Sequence, residues 1–257
     1  MKETMIVEKR KVELKNPVLI EGLPGLGLVG KIATEYLIKQ LGAEKIAELY
    51  SPHFAYYIIV DQKGEVRLLR LSFYYWRNEK GENDFILLTG DSQAQTIQGQ
   101  YEVAGEILDF IIKKCVKLII TIGGYRKEVE GTPQVFASAT SPNLLKKALK
   151  AGAKESPPGN PIVGTAGLLL GLAKFRDLDA LCLLAETPGY LPDQRAAKSV
   201  INVIMKMLNF TVDLSGLEKE IHKSMQIEER MKKLEEQMRN SAKIRKKVEE
   251  EKISYIS

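Results

Sequence analysis

Pro17-Val18-Leu19-Ile20-Glu21-Gly22-Leu23-Pro24-Gly25-Leu26-Gly27-Leu28-Val29-Gly30 is the stretch on which the fold turns. An apolar run, Pro17 to Ile20, stops at a glycine-rich turn spanning Gly22 to Gly30. Apolar residues at helical spacing then continue to Leu41, and Gly42 stands where a C-terminal helix glycine belongs. Strand, glycine turn and helix in that order predict the opening unit of an α/β domain. Within the turn, Gly25, Gly27 and Gly30 satisfy G-x-G-x-x-G, a pattern that lets a pyrophosphate approach the backbone at a helix N-terminus. A dinucleotide fold also wants an acid at the end of the next strand, and Glu48 lies at about the right distance. The same glycines serve equally to let the helix lie close on the sheet.

The alternation continues outward. Residues 55–60 and 66–71 read as a strand pair around the turn Asp61-Gln62-Lys63-Gly64. Phe85 to Thr89 is a buried strand followed by Gly90-Asp91-Ser92-Gln93. Tyr101 to Lys114 repeats Val103, Ile107, Leu108, Ile111 and Ile112 at helical spacing. Lys117 to Ile122 is a strand ending at Gly123-Gly124. Asn143–Ala151 and Ala166–Phe175 read as helices, Ala180–Ala185 as a strand and Arg195–Leu208 as a closing amphipathic helix. Strands alternating with helices predict an α/β fold, a mainly parallel sheet sandwiched by helices, with right-handed crossovers.

From about Asp213 the composition changes, and Lys, Arg and Glu dominate through Lys252. A thin apolar seam, Leu217, Ile221 and Met225, then Met231, Leu234 and Met238, predicts an extended helical C-terminal tail with little capacity to build a core. The domains expected are therefore a core at 1–212 and a charged helical tail at 213–257. About 35 helical residues would reach roughly 50 Å.

Composition narrows the function. The 257 residues are 44% hydrophobic and 28% charged, the balance of a globular protein with a real core. A net charge of +5 is small for this length, and no basic stripe interleaved with aromatics accompanies it, so nucleic acid is not expected as a partner. The greasiest segment, Ile162 to Ala173, is too short to cross a bilayer, and Met1 to Thr4 lack signal-peptide character. A soluble cytoplasmic protein is expected. Cys115 and Cys182 match no ligand or redox spacing and read as buried free thiols. His53 and His222 are too scattered for a metal or a proton relay. Asp91 or Ser92 reads as the cap of the following helix, and Glu186-Thr187-Pro188-Gly189-Tyr190 as a turn stiffened by Pro188. No nucleophile is paired with a base. Neither catalysis nor a cofactor is expected.

Four motifs in order carry a resemblance: Glu21 to Gly30, Ile122-Gly123-Gly124-Tyr125, Gly164 to Gly171, and Ala185 to Tyr190. Together they resemble the archaeal members of the proteasome assembly chaperone 2 family, over about residues 5 to 210. The resemblance implies a phosphorylase-like α/β sandwich in which Gly25, Gly27, Gly30, Gly123, Gly124, Pro188 and Gly189 form structural turns. It implies a homo-oligomer, a tetramer in preference to a pentamer, acting without catalysis on the α-subunits of the 20S proteasome as activator or assembly chaperone. Proteasome activators present a hydrophobic residue, a penultimate tyrosine and a free carboxylate. Here Ile253, Ser254, Tyr255, Ile256 and Ser257 are the expected docking residues, although Tyr255 is third from the end. The alternative is a nucleotide- or nucleoside-binding enzyme or sensor built on the Gly25–Gly30 turn.

Overall fold

The computed structural model describes residues 1–226 and 230. Met1–Asp213 form one compact unit, and a second begins at Leu214; in the second, residues 215–226 are helical. Met231, Leu234 and Met238 of the expected seam lie outside the described residues, as do Ile253, Ser254, Tyr255, Ile256 and Ser257.

In chain order the elements are β1 (Met5–Glu8), β2 (Val18–Glu21), α1 (Val29–Leu41), β3 (Glu44–Tyr50), β4 (Ile58–Val60), β5 (Val66–Leu68), β6 (Leu71–Trp76) and β7 (Phe85–Gly90). There follow α2 (Ile97–Lys113), β8 (Leu118–Arg126), β9 (Val135–Ala139), α3 (Pro142–Lys150), β10 (Lys154–Glu155), α4 (Gly164–Ala173), β11 (Asp179–Thr187) and α5 (Gln194–Leu208). Nine strands form one sheet in the order β1-β3-β6-β7-β2-β8-β11-β9-β10. Its centre, β7-β2-β8-β11, is parallel, with β2 in register between Phe85–Leu88 and Leu118–Thr121. Those strands are buried on both faces, so they read as continuous apolar runs. β1, β3 and β6 add antiparallel on one flank and β9 on the other. β4 and β5 stand apart as a two-stranded sheet.

The helices form two layers. α1 packs on α5, and α2 packs on α4. Under the second pair lies a large cluster in which Leu19, Ile86 and Ile119 meet Val103, Ile107 and Ile111. Phe73 packs against Phe110 with ring centroids 4.7 Å apart and the rings tilted by 52°, joining α2 to β6.

α1 ends at Gly42 in the left-handed region, φ 64°, as expected. The cap of α2 differs from expectation. Thr96, not Asp91 or Ser92, accepts from the Gly99 amide, because the helix begins at Ile97, too far along the chain for Asp91 or Ser92 to reach its first amides. Asp91 is taken instead by Arg67, at 2.5 and 3.0 Å, and by the Arg70 amide at 3.0 Å. The thiols also split. Cys182 is buried, whereas Cys115, at φ 61° in the turn between α2 and β8, is exposed.

Candidate functional site

At the C-terminal ends of β2, β8 and β11 three turns converge, and the sequence motifs meet there. Gly25, Gly30, Gly123 and Gly124 line one cavity of about 420 Å³ together with Gln93, Arg126, Leu184 and the 160–166 segment that leads into α4. Clefts outside the carboxyl ends of parallel strands are the usual ligand positions of α/β folds, and this volume falls in the range of small-molecule sites.

The glycines themselves mostly face protein. A Cβ on Gly30 would lie 2.5 Å from the Ile122 carbonyl oxygen, and one on Gly22 would lie 2.1 Å from the Gly30 carbonyl oxygen. A Cβ on Gly124 would stand 2.6 Å from the Leu26 carbonyl oxygen. Gly27 adopts φ 59° with its α-carbon turned toward the Thr187 hydroxyl, and Gly189, after Pro188, sits against Leu26. Backbone therefore meets backbone around the first turn of α1. The close-packing role accounts for Gly27 and Gly30, while at Gly25 the nearest atom to an added Cβ is Gln93 Nε2 at 3.9 Å, so of these three glycines Gly25 alone has room beside it.

Gln93 ties the turn to α4. Its Nε2 donates to the Pro24 carbonyl at 2.7 Å, and its Oε1 accepts from the Thr165 amide at 2.9 Å. At the strand ends, Glu186 accepts from Lys127 at 2.6 Å and from the Gln134 amide at 3.0 Å. Burial would raise the Glu186 carboxyl, but these donors hold it below the ordinary carboxylate range. The Thr187 hydroxyl accepts from the Gly189 amide at 3.2 Å. Glu186 and Thr187 thus close β11, and the turn read from the sequence begins only at Pro188.

Glu21 is different. It is 1% exposed at the end of the central strand, and its Oε2 has no hydrogen-bond partner. Burial pushes its carboxyl up to about 8, against the pull of the Leu23 and Ile122 amides. The Asn160 Nδ2, also on this cavity, is a second buried polar atom without a partner. The same environment pushes the Cys182 thiol up to about 12, with the Thr121 hydroxyl and Glu21 beside it. Sequence reasoning missed the buried acid, although a charged residue closing a run that is otherwise wholly apolar was its visible signal.

Glu48 does not serve a ribose. β3 stands three places from β2, beyond β7 and β6, so its acid is remote from the Gly25–Gly30 turn. Its buried carboxylate is held by Lys9 at 2.6 Å, Arg70 at 2.7 Å and Lys45 at 2.9 Å, with Tyr50 donating at 3.0 Å. Burial opposes ionisation there, but those donors outweigh it and hold the group down to about 2. His53 likewise has a structural place, between Thr96 and Glu102 at 3.1 Å each. Among the described residues no group of three or more His, Cys, Asp or Glu is placed to hold a metal. No helix among them is long and apolar enough to cross a membrane.

Comparison with known proteins matches this architecture. Pyrococcus furiosus PbaB, described as an archaeal proteasome activator, superposes with a TM-score of 0.87 at 38% identity, over 90% of this chain and 100% of that one. P. furiosus PbaA, described as an archaeal homologue of proteasome-assembly chaperone, gives 0.75 at 31% identity, over 94% and 95%. An uncharacterised protein of Methanocaldococcus jannaschii is 36% identical over 248 residues, 95% of this chain and 93% of its own length. The PAC2 family model matches residues 19–235, so all three converging turns described above fall inside it, and the chain belongs to the PAC2 family.

Proposed function

We propose that this protein is a homo-oligomeric, non-catalytic partner of the 20S proteasome, working in the cytoplasm as an activator or assembly chaperone and binding the α-ring through its C-terminal residues. The observation that carries this reading is the likeness to PbaB, which extends over the whole of that structure. Ile253 to Ser257 are the docking residues, with Tyr255 and Ile256 as the apolar contacts. In an oligomer several such termini act together, so weak single contacts sum by effective concentration. Removing Ile253–Ser257 is expected to abolish capture of archaeal 20S particles in a pull-down while leaving the oligomer mass unchanged. Equal capture by the shortened chain would overturn the tail-docking mode.

The 420 Å³ cavity with its sealed acid favours one second reading, a small ligand bound beside the Gly25–Gly30 turn. Nucleosides and nucleotides at millimolar levels should then raise the melting temperature by mass action. Gly25→Leu, which fills the open side of the cavity without backbone strain, should erase the rise. No shift from any of them removes this reading.

A further inference from the structure

The hairpin of β4 and β5 has its polarity reversed. Its register pairs Ile58 with Leu68, Ile59 with Arg67 and Val60 with Val66. Side chains alternate across a strand, so Ile58, Leu68, Val60 and Val66 share one face and Ile59 and Arg67 the other. The inner face is anchored: Ile59 packs on the core cluster, and Arg67 makes its two bonds to Asp91. The turn is closed by Asp61, whose carboxylate accepts from the amides of Lys63 at 2.8 Å and Glu65 at 2.9 Å. The outer face is four aliphatic residues, each 51% to 65% exposed. Leading into it, Tyr57 is 57% exposed and Tyr56 fully so. Antiparallel pairs normally put polar residues on the solvent side. A hairpin this short has no independent stability, yet here it is fixed in place and turns its apolar side outward.

We infer that this hairpin face is the surface through which two copies of the chain associate. With ~150–250 Å² for each aromatic side chain and smaller areas for the four half-exposed aliphatics, the six residues expose on the order of 600 Å². That is at the upper limit for a free monomer surface, ~300–600 Å². It approaches the ~800 Å² that each partner contributes to a standard interface. The face bears no charge of its own, so a charged partner finds nothing to pair with. An identical face fits it about a two-fold axis, aliphatic pairs against aliphatic pairs. The proposal gives the self-association of the preceding reading its surface, and it is read by mass alone, without any 20S particle.

The test is the solution mass of the full chain by light scattering at micromolar concentration. Wild type should run as a multiple of the chain mass. Val60→Glu and Val60→Lys, at a position 61% exposed, should each lower that mass at least twofold with unchanged circular dichroism. Mixed in equal amounts they should regain it, since opposite charges then face each other. Ile58→Gln with Leu68→Gln gives a second variant if either charged one misfolds. A monomeric wild type, or variants that keep the full wild-type mass, overturns the inference; α-ring capture would stand or fall separately.

Discussion

Glu21→Gln is expected to flatten the pH dependence of stability and to raise the melting temperature at pH 8. In the folded chain the carboxyl is raised from its ordinary 4.5 to about 8, chiefly by burial. Below pH 4.5 folded and unfolded chains both hold the proton. Between 4.5 and 8 the unfolded chain releases it and the folded one keeps it, so stability falls as pH rises. At about 1.4 kcal/mol per pH unit, the loss by pH 8 is on the order of 5 kcal/mol. Glutamine cannot titrate, but it leaves a buried amide donor where Oε2 has no partner, at a cost of about 1–3 kcal/mol. The two melting curves should therefore cross: the variant less stable at pH 4, and more stable at pH 8 by about 2 kcal/mol, roughly 4–8 °C for a domain of this size. Parallel curves across that range would show that Glu21 ionises normally.

Gly30→Ala should be among the most damaging single changes in the core. Its methyl would enter a gap of 2.5 Å to the Ile122 carbonyl oxygen and 3.1 Å to the Gly22 α-carbon, both main chain, the first within β8 and the second just past β2 with its amide bonded to the Leu88 carbonyl. Neither can rotate away, so α1 must lift from β2 and β8. Overpacking of this kind costs on the order of 3 kcal/mol or more. Gly105→Ala provides the contrast. It lies inside α2 with nothing within 4 Å of the added carbon, and should stabilise by about 0.5–1 kcal/mol through helix propensity. Urea midpoints of the two variants should move in opposite directions.

Local period and turn chemistry made the centre of the fold legible. β2, β7, β8 and β11 are built on apolar runs, and α1 and α5 announce their ends with Gly42 and Asn209, both left-handed. The flanks were harder. β1, with the burial of an edge strand, and β9, half exposed, lack a continuous apolar signal. The strand Leu71–Trp76 follows β5 so closely that it merges with the hairpin. Thr96 was overlooked as a cap because the first turn of α2, Ile97 to Gln100, carries no apolar repeat. In the candidate site the glycine turns were visible in the sequence, but their convergence depends on strand order. The reversal at the hairpin was also hidden, since Ile58 and Val60 look in sequence like ordinary core residues.

The two thiols end in opposite circumstances. Cys182 is sealed between β8 and β9, its thiolate suppressed, while Cys115 stands at the surface on the tight bend before β8. A maleimide reagent in neutral buffer thus meets one addressable atom per chain, without any engineered mutation. A fluorophore or spin probe attached there reports from a defined point on the Met1–Asp213 unit, at the start of a central strand.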